Sequence, residues 1–171
     1  MAGASAQAGE YGRVTIRPMR EADVNACAAL MLAIPLWAEY AMTAERARAT
    51  FAGALRAPAR GLVAEEDGRI KGFIVYSVAG TFDHSGYVRA VGVAPDAQGQ
   101  GIGLRLMDSA EGEILRAGPN VFLLVSAWNV DARRFYERRG YHQIGEIPDY
   151  VRSGITEILY RKTLGPIERR E

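Results

Sequence analysis

A run of alternating glycines behind a β-branched stretch limits what this chain can become more than any other segment. Val91-Gly92-Val93-Ala94-Pro95-Asp96-Ala97-Gln98-Gly99-Gln100-Gly101-Ile102-Gly103 reads as a strand, a stop, a turn and a helix start. Val91 and Val93 suit a strand, and Pro95 ends it because proline has no N–H for a sheet ladder. Gly99, Gly101 and Gly103 remove side chains where the helix begins. Backbone N–H groups at a helix start have no partner inside the helix, and with the helix dipole they attract anionic oxygen. The segment predicts a seat for the pyrophosphate of a nucleotide-containing cofactor. A solvent-exposed turn without a ligand is the plainer alternative.

Two other glycine-rich phosphate sites fail on residue identity. A P-loop ends in Gly-Lys followed by Ser or Thr, whereas Gly103 is followed by Leu104 and Arg105. A dinucleotide fingerprint needs a third glycine where this chain has Leu104 or Leu106. It also needs an acid on the next strand, and Asn120 to Ser126 has none.

A second segment narrows the reading. Asn129-Val130-Asp131-Ala132-Arg133-Arg134-Phe135-Tyr136-Glu137-Arg138-Arg139-Gly140-Tyr141 has the form N-x-x-A-x-x-F-Y-x-x-x-G-Y. With Val93-Ala94-Pro95 and Gln98-x-x-Gly101-x-Gly103, it resembles the GCN5-related N-acetyltransferase (GNAT) superfamily, best from Tyr87 to Tyr141. The motifs are specific for acyl-CoA binding and silent on the acceptor. The resemblance implies an α/β (α+β) fold with a mixed, mostly antiparallel sheet of six to seven strands. About four helices flank it, and its central parallel strands splay apart. It implies transfer of the acetyl group of acetyl-CoA to a primary amine by direct attack in a ternary complex.

The resemblance also implies roles. Backbone N–H groups of Gln98, Gly99, Gln100, Gly101, Ile102 and Gly103 would seat the pyrophosphate. A neutral Gln98 stands where relatives have Arg or Gln, so the backbone must do more of the binding. The backbones of Val91 and Val93 would meet the pantetheine arm and the acetyl carbonyl, with the Val93 N–H as oxyanion donor. Asn129 would contact the pantetheine arm, and it also suits a helix N-cap. Arg133 joins the cofactor-binding set from a basic cluster with Arg134, Arg138 and Arg139, whose plainer reading is a solvated helix face. Tyr136, seven residues after Asn129 and near the same helix face, would protonate the leaving thiolate. Its plainer reading is a core aromatic.

The general base is not assigned. Many relatives carry Glu on the strand before the glycine turn, where this chain has Tyr87 and Arg89. Arginine is no base, and an unperturbed tyrosine has too high a pKa to be an efficient one. Glu39, Glu146, Asp149 and Tyr150 stay open. So does His84, which falls in a turn over Thr81–Ser85. Trp37, Tyr40, Tyr87 and Tyr150 could line an amine site through cation–π contact, or could equally be core or dimer contacts. The missing strand glutamate keeps open a GNAT-fold protein that binds CoA without catalysis, as sensor or scaffold. A partner-binding domain without cofactor is the third class.

The remaining chain reads as β-α-α-β-β-β-α-β-α-β-β. Helices are expected over Glu21 to Leu32, over Thr43 to Leu55, from the glycine turn to a stop at Gly118-Pro119, and over Asn129 to Arg139. The third has an apolar i+4 stripe of Ile102, Leu106, Ala110 and Ile114. Strands are expected at Val14–Pro18, Leu62–Glu65, Ile70–Val78, Tyr87–Val93, Asn120–Ser126, Tyr141–Gly145 and Ile155–Lys162. Asp67-Gly68 predicts a tight hairpin turn. The apolar run Val121–Val125 suits a strand covered on both faces.

Bulk properties agree with one domain. The 171 residues are 49% hydrophobic, ordinary for a globular chain. Residues 1–10 are expected to be a flexible arm, not a signal peptide, and 11–171 a single acyl-CoA N-acyltransferase domain. Cys27 is the only cysteine; it is expected to fill core space, and a reducing compartment, the cytoplasm, is expected. Net charge is +1, from 21 basic and 20 acidic side chains, which gives no broad attraction for nucleic acid. No stretch is long and apolar enough to predict a membrane span, and no metal is implied. The expected partner is a small-molecule amine or a peptide N-terminus, with a homodimer left open.

Overall fold

The seven expected strands come together in one seven-stranded sheet. The computed structural model describes residues 14–167. The expected arm at 1–10 lies outside these residues. The strands are β1 Thr15–Pro18, β2 Ala59–Glu66, β3 Arg69–Thr81, β4 Ser85–Val93, β5 Asn120–Ser126, β6 His142–Pro148 and β7 Thr156–Thr163. Five α-helices are present among the described residues: α1 Val24–Ala33, α2 Leu36–Glu39, α3 Ala44–Gly53, α4 Ile102–Ala117 and α5 Val130–Arg138. Four match the expected helices; α2 is a single turn inside what read as a loop. The helix expected from Glu21 begins instead with a 3-10 turn, Glu21–Asp23.

The sheet order is β1-β2-β3-β4-β5-β7-β6. Every neighbouring pair is antiparallel except β4 with β5, which run parallel across the α4 crossover. Asp67 and Gly68 both have positive φ, +49° and +73°, the geometry of a tight two-residue hairpin. Thr43 caps α3, its hydroxyl accepting from the Arg46 N–H at 3.2 Å.

Helices α1 and α3 cover one face and α4 covers the other. Phe51 of α3 meets Phe73 of β3 edge-on, with ring centroids 4.8 Å apart. Ile102, Leu106, Ala110 and Ile114 of α4 are all buried, and fully burying each larger member is worth about 1.5–3 kcal/mol. The helix comes so close because β3 and β4 carry glycines beneath it. A Cβ on Gly86 would lie 2.0 Å from Ile114 Cγ2. Cys27 is fully buried in the core, and burial pushes its thiol pKa up to about 12.

The break in the sheet positions the site. β4 and β5 pair only at Gly86–Val121, Tyr87–Phe122 and Val88–Leu123. On its other side, β4 stays paired with β3 as far as Val93. All of β5 stays paired with β7. Beyond Val88 and Leu123 the two central strands therefore diverge, while each is held firmly from outside.

Candidate active site

The divergence opens a cleft of about 970 Å³, walled by β4 and β5 and closed off by residues of α1 to α5. Val91 and Val93 face it with more than their side chains. The Ala94 N–H donates to the Lys71 carbonyl of β3 at 2.8 Å. N–H directions alternate along a strand, so the N–H groups of Val93 and Val91 point away from β3, into the gap. β5 has diverged there and supplies no ladder partner.

At the end of β4, a 3-10 turn over Pro95–Ala97 leads into the glycine segment. Gly99 and Gly101 both have φ of +77°, the left-handed conformation that glycine adopts without a steric cost. Gly101 is the N-cap of α4 and no side chain caps the helix, so its first N–H groups stay available. A Cβ on Gly99 or Gly101 would meet nothing within 4 Å. Gln98 holds the turn, its amide donating to the Val93 carbonyl at 3.4 Å. Gln98, Gly99 and Gly103 line the cleft; Gln100 is exposed and the Ile102 side chain is buried in the core.

The α5 residues divide. Asn129 caps the helix, accepting from the Ala132 N–H at 3.2 Å, and also lines the cleft. Tyr136 is buried and lines the cleft, stacked edge-on against Tyr141 at 5.7 Å. Burial pushes its hydroxyl pKa well above the ordinary tyrosine value. Phe135 packs against the core and reaches the same cleft. Arg133 is directed elsewhere: it donates to Tyr160 Oη at 3.1 Å, the Ala127 carbonyl at 3.2 Å and Gln143 Oε1 at 3.2 Å. These partners hold its guanidinium along β6 and β7.

The candidate bases separate as well. Tyr87 lines the cleft, and burial pushes its pKa up, which leaves it less apt to give up its proton at neutral pH. His84 is exposed in the β3–β4 turn. Glu39 is exposed, and its carbonyl accepts from Arg152, joining α2 to the β6–β7 loop. Glu146 is exposed on β6 beside Gln143 at 3.3 Å. Asp149 accepts from the Gly154 N–H at 2.6 Å, closing the loop on itself. Tyr150 is 64% exposed. Among the carboxylates of the described residues, Asp131 and Glu157 line the cleft. Asp131 is exposed and Glu157 buried; neither stood among the candidate bases. No group of three or more metal-ligating side chains occurs among the described residues, and no helix there is long and apolar enough to cross a membrane.

Known proteins resemble this chain in sequence and in fold. A family model described as acetyltransferase (GNAT) matches residues 26–141. An uncharacterized N-acetyltransferase of Methanocaldococcus jannaschii is 37% identical over 103 residues, 58% of this chain and 64% of that protein. The match therefore spans less than two thirds of that relative. The ribosomal-protein-alanine N-acetyltransferase of Brucella melitensis is 25% identical, with a TM-score of 0.70 over 88% of this chain and 99% of the other. The ribosomal-protein-S18-alanine N-acetyltransferase of Escherichia coli, 19% identical, has a TM-score of 0.74 over 93% of this chain and 99% of the other; that likeness concerns the fold. The family match runs from α1 through the glycine turn to Tyr141, across both motifs and both walls of the cleft, and so this chain belongs to the GNAT acetyltransferase family.

Proposed function

We propose that this protein transfers the acetyl group of acetyl-CoA to a primary amine. The observation that carries the reading is the parting of β4 and β5, which leaves the Val91 and Val93 N–H groups facing a gap. The uncapped start of α4 lies at its end. These residues fit the donor. The helix start and glycine turn suit a pyrophosphate, and free strand N–H groups suit the amides of a pantetheine arm. Acetyl-CoA, when bound, supplies an activated acyl carbon on a good leaving group. The chain supplies placement, which alone can lower a barrier by several kcal/mol. The Val93 N–H is our oxyanion donor. Tyr136, held protonated by its burial, gives its proton to the departing sulfur.

Calorimetry should show acetyl-CoA binding by the wild type; no heat at millimolar ligand would overturn the reading. Gly101→Val should bind about tenfold more weakly, since a left-handed backbone strains an L-residue by roughly 1–2 kcal/mol. Tyr136→Phe should retain acetyl-CoA affinity and slow turnover by about 10²-fold, the low end of general acid catalysis, because a thiolate leaves readily. An unchanged rate in a chemistry-limited assay would make Tyr136 a packing residue.

A further inference from the structure

The cleft holds a polar centre that neither motif reaches. Glu157 of β7 is 3% exposed and lines the cleft. Tyr40, just after α2, donates from its hydroxyl to Glu157 Oε1 at 2.5 Å. Ser126, the cross-strand neighbour of Glu157 on β5, also bonds to that hydroxyl. Tyr40 has a single proton and directs it to Glu157, so Ser126 must be the donor in its own pair. The donors thus run one way, from Ser126 to Tyr40 to Glu157, and end on a carboxylate. Among the described residues, no Lys, Arg or His forms an ion pair with Glu157.

A carboxylate so deeply buried is costly unless a cation joins it. Its surroundings suit an ammonium group: Trp37, Tyr40 and Tyr87 line the same cleft, and aromatic faces attract cations. Two arginines, Arg46 and Arg89, also line it; both residues are exposed, and the Arg46 guanidinium donates to the Tyr40 and Ala41 carbonyls at 3.3 and 3.0 Å. They would repel a second positive charge on the acceptor and attract carbonyl or carboxylate oxygen.

We infer that Glu157 is the acceptor-site base, taking the ammonium of a singly cationic amine with carbonyl or carboxylate oxygen beyond it, as at a peptide N-terminus. The inference rests on the acetyl-transfer reading above. The proton balance closes. The ammonium nitrogen gives one proton to Glu157, which frees its lone pair to form the C–N bond. As the C–S bond breaks, the sulfur takes the Tyr136 proton. The nitrogen's second proton restores Tyr136, and Glu157 releases its proton to water. Glu157 shares the α1–α3 face of the sheet with Tyr40, whereas Tyr136 belongs to α5, so base and acid approach the gap from different elements.

The test uses the full chain, the tripeptide alanyl-phenylalanyl-alanine, its N-acetylated form and spermidine. Glu157→Gln keeps an oxygen for Tyr40 and conserves shape. Without any acyl donor, calorimetry should show the wild type preferring the free tripeptide over the acetylated one. Glu157→Gln should bind the free tripeptide at least about tenfold more weakly, the scale of a lost charge-assisted contact, with acetyl-CoA affinity unchanged. Its turnover, followed by CoA release, should fall by about 10²–10⁴-fold. Equal tripeptide affinity and equal turnover in variant and wild type would overturn the assignment and leave acetyl transfer standing. A wild type that binds acetyl-CoA but acetylates spermidine faster than the tripeptide, or leaves the tripeptide untouched, would overturn the substrate class. Absence of acetyl-CoA binding would remove the underlying reading and this inference with it.

Discussion

Glu111→Ala should lower the free energy of unfolding by about 3–5 kcal/mol, the usual consequence of stranding a buried charge by removing its partner. Glu111 lies in the middle of α4 and is 4% exposed. Its carboxylate accepts from Lys162 Nζ at 2.6 Å, Tyr141 Oη at 3.0 Å and Arg139 Nε at 3.2 Å. It thereby joins α4, β7 and the end of α5. Alanine would leave the Arg139 and Lys162 charges facing a void. Arg139 keeps Asp108 at 2.8 Å, which holds the loss toward the lower end. Urea unfolding checks it, and the melting temperature should fall by roughly 6–12 °C for a domain of this size. Glu111→Gln should cost less, because the amide still accepts from Tyr141. A loss below about 1 kcal/mol, the scale of a surface ion pair, would show that the cluster is solvated.

Phe73→Ala should cost about 3–5 kcal/mol, the range for emptying a buried phenylalanine site. Phe73 is fully buried. It packs on Phe51 of α3 and presses on Gly92, where a Cβ would lie 2.6 Å from its ring. The cavity would therefore open directly under the divergent half of β4, with strand and helix both losing support. Unfolding by denaturant should report the full stability loss. Calorimetry should show weaker acetyl-CoA binding, since Val91 and Val93 flank Gly92 in the cleft wall. Phe73→Leu should recover most of both quantities. Loss of stability with donor affinity intact would show that β4 keeps its line without this ring.

The two predictions bear on different halves of what the chain reveals by itself. Its local signals were legible: the Ile102–Ile114 stripe, the apolar run of β5, the glycine turn and the Asn129 cap each depend on neighbours a few residues apart. α2 escaped because four residues carry no helical periodicity. Glu157 escaped for a deeper reason. In Thr156-Glu157-Ile158 it resembles any strand residue that could face water; Tyr40 stands 117 positions from it, and Tyr40 and Ser126 stand 86 positions from each other. Only sheet order makes Ser126 its neighbour. Arg133 shows the same limit from the other side. Its place in a basic helix cluster suggested the cofactor, and in the structure its guanidinium donates to Tyr160 of β7 and Gln143 of β6. Asp149 has an acidic side chain in a flanking segment, as expected, and there it accepts from the Gly154 N–H of its own loop.

The three-residue seam between β4 and β5 has a consequence for mechanics. A seven-stranded sheet normally resists shear across its whole width through continuous ladders. Here the load between a four-stranded and a three-stranded panel passes through one short hydrogen-bonded edge and through α4, which straddles it. The sheet is thus two stiff plates with a compliant joint. An extended molecule lying in the gap and bonded to both strands would act as a splint, converting two plates into one. Occupancy would be felt as stiffness at the outermost strands, far from any atom that touches the guest.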